Sequence, residues 1–324
     1  DATPQHVELA RATDEEKESQ LRRGHEFQRA HEDEAAEAMS QMLEGAAPEA
    51  VGALLMLLRM KGETAEEISG FARAAQAALA DWPRADLDWP CYAAGRTRGL
   101  PWFLLAAKLV AVNGQRVLLH GWNGPDQAIR DGLAALGIPQ VRTPAEAARA
   151  LDEGRIAYVP LESVHPALFH LLDLRRTLGL RSCVNTVCRM LNPGRAPASV
   201  QGVFHPSYRL LQADAAQRLG WRNLTVIKGG GGEFERHPGM EIAGFGLREG
   251  VPWHGSFPGL AEDHRRLSDL ALPTEALTHL WDRDQGPAFA RQIVLGTAAL
   301  AFDTLDLAPD LSALWQARPV PQTA

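Results

Sequence analysis

Between Arg155 and Phe204 the chain gathers residues able to bind an anion or move a proton: His165 before Pro166, then Arg175, Arg176, Arg181, Asn185 and Arg189. Residues 171–200 carry five arginines (Arg175, Arg176, Arg181, Arg189, Arg195) against Asp173, a local charge of +4 in a chain whose formal net charge is −7. A guanidinium presents a planar fork of donors that matches phosphate, so the chemistry these residues predict is recognition of a phosphate-bearing ligand. If the ligand is a polyanion, binding should weaken steeply with salt. Further candidates lie outside the stretch: Arg96 and Arg98 in the turn 94–99, His120 after a short apolar run, and Lys228 and Glu233 on either side of Gly229–Gly232. Lys108 could extend the positive patch.

Each of these residues also has a structural reading. Arg175 and Arg176 fall where a helix dipole favours positive charge, just before Gly179. His165 fits a hydrogen-bonded helix entry, and His120 the end of a strand. The four glycines at 229–232 could cradle an anion or form a flexible loop, and they fit no Walker pattern. The eleven histidines and three cysteines show no metal-ligand spacing. No residue type and spacing identifies a catalytic group.

The elements that must position these side chains alternate between apolar runs and helical stripes. Residues 33–82 read as three helices separated by Gly45 and Gly62, with Pro48 opening the second and a T-x-x-E capping box at Thr64 and Glu67 opening the third. From 83 onward, strands and helices alternate, which predicts a mainly parallel sheet covered by helices. Strands are expected at 87–92, 116–120, 156–159, 181–184, 200–204 and 224–228. Helices are expected at 101–113, 125–136, 144–153, from Pro166 to Gly179, 208–219 and 287–305. Residues 236–270, rich in Gly, Pro and His, read as irregular connection. Trp82, Trp89, Trp102 and Trp122 read as packing residues rather than base-stacking platforms.

The domain organisation expected is a charged lead-in (1–32), a small α-helical domain (33–82) and a larger α/β domain (83–324). Of 324 residues, 45% are hydrophobic and 23% charged, ordinary for a globular protein. The acidity is local: residues 1–80 carry 16 acidic and 8 basic side chains, and the remainder is near neutral. The longest apolar runs, 50–58 and 293–302, fall short of the ~18 residues a membrane span needs. Cys91, Cys183 and Cys188 form no CxxC pair, and no signal-peptide pattern is present. A cytoplasmic protein with reduced thiols and no membrane segment is therefore expected.

The order HPA (165–167), RRTLGLR (175–181), Asn185, LNP (191–193) and GVF (202–204) resembles the middle of the anthranilate phosphoribosyltransferase family, as does LLMLLRMKGETAEEISGF (54–71) with its N-terminal helices. The resemblance implies a phosphoribosyltransferase or nucleoside-phosphorylase-like fold and a homodimer formed through the helical domain. It also implies where a phosphoribosyl diphosphate should sit. The family's glycine-rich GTGGDG turn corresponds to Ala94-Gly95-Arg96-Thr97-Arg98-Gly99, and its polar NxST element to Leu100-Pro101-Trp102-Phe103. Its KHGN corresponds to Leu119-His120-Gly121-Trp122, and its magnesium-holding Asp-Glu pair is split here into Glu233-Phe234-Glu235. Four elements that grip the diphosphate are thus altered together. The pattern is similar to a degenerate, YbiB-type branch of the family that binds nucleic acid as a dimer through basic residues, and it makes Arg189 the first choice for a phosphate contact. The expected function is binding of DNA, RNA or another polyanion by an arginine-lined groove without a cofactor. The alternative is a pentosyltransferase acting on a different phosphorylated sugar, using His120, His165, Glu233 and Mg²⁺. A purely structural or regulatory partner-binding dimer is a third reading.

Overall fold

The computed structural model describes residues 31–93, 99–122, 127–263, 265 and 271–320. Arg96 and Arg98, and most of the charged lead-in, lie outside the described residues. The N-terminal part consists of helices α1 (31–43), α2 (Pro48–Lys61) and α3 (Ala65–Ala77). The expected capping box is present at α3: Thr64 Oγ1 accepts from the Glu67 amide, and the Glu67 carboxylate accepts from the Thr64 amide. Pro48 opens α2, and Gly62 beyond it has a φ of 85° that a residue with a Cβ seldom adopts.

The larger part begins with β1 (Leu87–Cys91), α4 (Phe103–Val112), β2 (Val117–Gly121), α5 (Ala128–Ala135), α6 (Pro144–Gly154) and β3 (Ile156–Pro160). Short helices α7 (Leu161–Val164), α8 (Pro166–Asp173), α9 (Arg175–Leu178) and α10 (Val184–Arg189) follow. The chain then runs through β4 (Ala198–Val203), α11 (Tyr208–Arg218), β5 (Asn223–Lys228), β6 (Ile242–Arg248) and β7 (Val251–Phe257). Helices α12 (Glu275–Arg283), α13 (Ala288–Thr304) and α14 (Leu311–Gln316) complete it. Among the described residues no helix is long and apolar enough to cross a membrane.

The sheet order is β3-β2-β1-β4-β5-β6-β7. The first five strands in that order pair parallel, and β6 and β7 add antiparallel. The strands of the parallel part are buried on both faces, as apolar runs without alternation require. One core layer joins the N-terminal helices to α8, α10 and α11 on one face, and the other packs α4, α12 and α13 on the opposite face. Trp82, Trp89, Trp102 and Trp122 are all buried, so they pack as expected.

The structure departs from the sequence expectations at three places. Residues 181–184 form no strand; the buried set Cys183, Val184, Val187 and Cys188 follows a helical period, and Val184 begins α10. Residues 236–270 are not merely irregular, because β6 and β7 form a hairpin there. Its two-residue turn, Glu249 (φ 51°) and Gly250 (φ 81°), has the positive φ pair that fits the strand twist, but it lacks the usual Asn-Gly signal. The helix from Pro166 to Gly179 is broken at Leu174 into α8 and α9, with Gly179 left-handed as anticipated.

Gly202 in β4 marks a close approach. A Cβ there would collide with the carbonyl of Glu233, whose segment lies directly on the strand. Gly202→Ala is therefore expected to destabilise the protein by about 2 kcal/mol or more in chemical denaturation, as overpacking against backbone does. A loss below about 0.5 kcal/mol, the level of a neutral surface change, would show that the contact is soft.

Candidate functional site

In an open parallel sheet, ligands bind beyond the carboxyl ends of the strands where the winding reverses. Here the reversal lies between β1 and β4. A cleft of ≈ 370 Å³ opens at this point, between the end of β4 and the N-terminal helices. Its cationic lining is Arg59 from α2, Arg175 from α9, Arg181, and Arg189 from α10, with His205 at the rim; among the described residues no Asp or Glu lines it, and Glu63 stands just behind, accepting from Tyr208 of the lining at 3.3 Å. Arg59 and His205 are exposed, Arg175 and Arg181 half-buried, and Arg189 buried.

The structure thus brings Arg175, Arg181, Asn185 and Arg189 together, as the sequence suggested. Much of their bonding goes to the end of β1. Arg181 Nη2 donates to Ala93 O (2.8 Å), and Asn185 Nδ2 to Tyr92 O (3.3 Å). Arg189 donates to Tyr92 O (3.0 Å), Gly202 O (3.1 Å), Asn185 O (2.9 Å) and Asn185 Oδ1 (2.7 Å). Four guanidinium contacts to protein oxygens make Arg189 first an organiser of the cleft floor. Arg175 lies over the Trp122 ring at 4.5 Å, and Trp122 also packs edge-on against Phe169.

Glu233 and Glu235 face the same region from the other side. Glu233 Oε1 accepts from the Ala93 amide (2.7 Å), and Glu235 Oε2 accepts from the Phe103 amide (2.9 Å) at the first turn of α4. Both carboxyls are buried. Burial pushes Glu233 up to about 7, opposed by Arg189 and the Ala93 amide. It pushes Glu235 up to about 8, opposed by the Phe103 amide and helped by Glu233. Among the described residues no group of three or more His, Cys, Asp or Glu could hold a metal ion.

The remaining candidates lie elsewhere. His120 is in the core of β2, with Nε2 against Asp88 Oδ1 (3.0 Å) and Nδ1 against Tyr92 OH (2.9 Å). His165 caps α8, its Nδ1 accepting from the Leu168 amide at 3.3 Å, and burial lowers its pKa. Lys228 is exposed at the end of β5, outside the cleft lining. Lys108 does not extend the patch; it donates to Leu136 O (2.8 Å) and sits 4.7 Å from the Trp281 ring centre. The sequence reading missed Arg59, His205 and Tyr208. Arg59 precedes the Gly62 helix end, and its solvent-facing position gave no sign that the α/β part closes over it.

The sequence matches the glycosyl transferase family helical bundle domain over residues 19–78 and the family's a/b domain over residues 104–248, together 205 of 324 residues. The chain belongs to the anthranilate phosphoribosyltransferase-like glycosyl transferase family. It is 34% identical over 218 residues to an anthranilate phosphoribosyltransferase of Roseiflexus sp. (strain RS-1), covering 66% of this chain and 63% of that relative. It is 29% identical over 297 residues to one of Chromobacterium violaceum, covering 86% and 85%. The chain thus spans less than two thirds of the Roseiflexus relative's length. Among solved structures, the anthranilate phosphoribosyltransferase of Thermus thermophilus superposes with a TM-score of 0.74 at 26% identity, covering 88% of each chain. The Saccharomyces cerevisiae enzyme in complex with PRPP and Mg shares the fold, with a TM-score of 0.68 at 16% identity over 88% of this chain and 87% of that one.

The raised carboxyls set a pH dependence. Glu233 and Glu235 hold their protons more tightly folded than unfolded, so their contribution is fully present below the ordinary value of 4.5 and is lost as pH rises toward 7 and 8. Melting temperature should therefore fall between about pH 5 and about pH 8 more steeply in the wild type than in Glu235→Gln, which has no proton to lose there. Parallel pH profiles for the two proteins would show that burial does not perturb Glu235.

Proposed function

We propose that this family member binds nucleic acid, or a polyanion of the same chemistry, in the arginine cleft, and does so as a cytoplasmic homodimer rather than as a phosphoribosyl transferase. The observation that carries the reading is the cleft lining: Arg59, Arg175, Arg181 and Arg189, with no carboxylate in the lining among the described residues. Such a site neutralises phosphates regardless of sequence and releases counterions when it binds.

The carboxylates support the same reading. A transferase of this family would be expected to hold Mg²⁺ and a diphosphate between the glycine-rich turn and an adjacent acidic pair. In this chain Glu233 and Glu235 accept from the backbone amides of Ala93 and Phe103. Glu233 Oε1 is engaged while its Oε2 is buried with no partner among the described residues, and Phe234 separates the two carboxyls in the core. A metal holding a diphosphate needs several oxygen ligands in tight geometry, and among the described residues no group of three His, Cys, Asp or Glu stands together to supply them. The transferase reading keeps the support of the relatives' names. Calorimetry with phosphoribosyl diphosphate and Mg²⁺ separates the two, since a micromolar signal abolished by Glu233→Ala would favour the enzyme.

Fluorescence-anisotropy titration with single- and double-stranded DNA at two salt concentrations tests the proposal. Binding should weaken steeply with salt, and Arg59→Ala, which alters an exposed side chain, should lower affinity and reduce the salt slope by about one. Absence of binding at low salt would overturn the reading.

An exposed apolar face on α2 supports the homodimer. Ala53, Leu57 and Met60 fall at i, i+4 and i+7 on its outer face, and Leu57 and Met60 are 68% and 82% exposed. Light scattering should give two chains per particle, and Leu57→Glu should give one, because a buried unpaired charge is strongly unfavourable. An unchanged mass in Leu57→Glu would move the interface elsewhere.

A further inference from the structure

A second cavity, of ≈ 560 Å³, lies on the same carboxyl edge of the sheet, at the ends of β2 and β3. Gly121, Trp122, Tyr158 and Pro160 line it together with Arg130 and Arg142, and Glu162 of α7 is the single acid of the lining among the described residues. Trp122 is the wall it shares with the arginine cleft: the indole lines this cavity while Arg175, which lines the cleft, lies over its ring.

The lining is not that of a simple anion site. Glu162 Oε2 is buried and has no hydrogen-bond partner among the described residues, and a buried polar atom left so is strongly unfavourable unless a ligand supplies a donor. Tyr158 OH donates to Gly121 O at 2.9 Å, so its hydroxyl is used and its ring remains as apolar surface. Glu146 accepts from the backbone amide of Arg142, and among the described residues no ion pair holds the Arg142 guanidinium. Among the described residues the lining therefore offers an unpartnered carboxylate oxygen, two aromatic rings and an exposed cation, Arg142. A nucleotide carries the complementary set: a flat base with an amino donor, and a phosphate.

We propose that this cavity takes one nucleotide of the strand bound in the arginine cleft, its base amino group donating to Glu162 and its phosphate facing Arg142. The inference rests on the nucleic-acid reading of the cleft. Cytosine and thymine discriminate sharply here because they are nearly the same size. Cytosine presents an amino donor where thymine presents a carbonyl oxygen, and a glutamate accepts from the first and repels the second.

The test is an anisotropy titration of single-stranded oligo-dC and oligo-dT of about a dozen nucleotides, within the range one such site spans. Oligo-dC should bind about tenfold tighter than oligo-dT. Glu162→Gln, whose amide can donate to the thymine oxygen, should bring the two within about twofold, and Arg142→Ala should weaken both alike. Equal binding of the two oligomers by the wild type, or an unchanged ratio in Glu162→Gln, overturns the nucleotide pocket and leaves a salt-dependent cleft standing. No binding of either oligomer overturns both. Titration with dCMP distinguishes the source: weaker binding than oligo-dC supports a strand spanning both cavities, and tighter binding assigns the pocket to a free nucleotide instead.

Discussion

The site depends on how the last two peptide groups of the first strand are held. Beyond Cys91 the chain leaves the sheet, and the carbonyls of Tyr92 and Ala93 and the amide of Ala93 lose their ladder partners. Buried backbone groups of that kind must find others. They find Asn185 and Arg189 on the Tyr92 carbonyl, Arg181 on the Ala93 carbonyl and Glu233 on the Ala93 amide. Two segments far apart in sequence, 181–189 and the one carrying Glu233, are thereby fixed against one point. The cleft is the space that remains above the clamp. Its cations cannot be moved independently of the strand end, because two of them are bonded to it.

The clamp rests on a polar layer inside the sheet. Asp88 on β1 accepts from Ser199 Oγ on β4 (2.7 Å) and contacts His120 on β2, which in turn meets Tyr92. Gln201 Nε2 donates to the Arg189 carbonyl (2.9 Å), tying β4 to the end of α10. All of these groups are buried. A one-residue slip of β1 against either neighbour would strand Asp88 and His120 without partners, so the layer fixes register where an all-apolar sheet would tolerate error. It also removes His120 from the chemistry. With both ring nitrogens bonded inside the core, the imidazole has no free atom to offer a ligand.

The parts of this arrangement governed by local rules could be read from the chain itself. Thr64 and Glu67 announced the start of α3, Gly179 the end of α9, and the apolar runs at 87–91, 117–121, 156–160 and 198–203 the parallel strands. What remained hidden was set by tertiary contacts. The stretch 181–184 looks like a strand until its neighbours at 187 and 188 are seen to be buried with it, and the hairpin at 242–257 turns on Glu249, a residue type that rarely marks such a turn. The arginines of the site were visible as charge, since Arg175, Arg181 and Arg189 stand in a segment with a single acid. Arg59 was not, because only the packing of α2 beside the end of β4 makes it part of the same surface.

Within this framework the start of α4 is served from a distant segment. Helix α4 begins at Phe103 after Trp102, a residue that offers no capping side chain, and its positive end needs an acceptor. Glu235 supplies it from 132 residues further on. Burial pushes that carboxyl up to about 8, so near neutral pH it serves the helix start as a hydrogen-bond acceptor that keeps its proton rather than as a full anion. The start of α4 thus has an internal acceptor, while the guanidinium groups of Arg59, Arg175, Arg181 and Arg189 line the open cleft. Backbone cradles fix a phosphate to within a fraction of an ångström, as transfer chemistry requires; long arginine side chains accept phosphates over a range of positions. On the proposed polyanion reading, a phosphate would meet arginine side chains rather than a backbone cradle, which suits holding a polymer rather than reacting with one of its units.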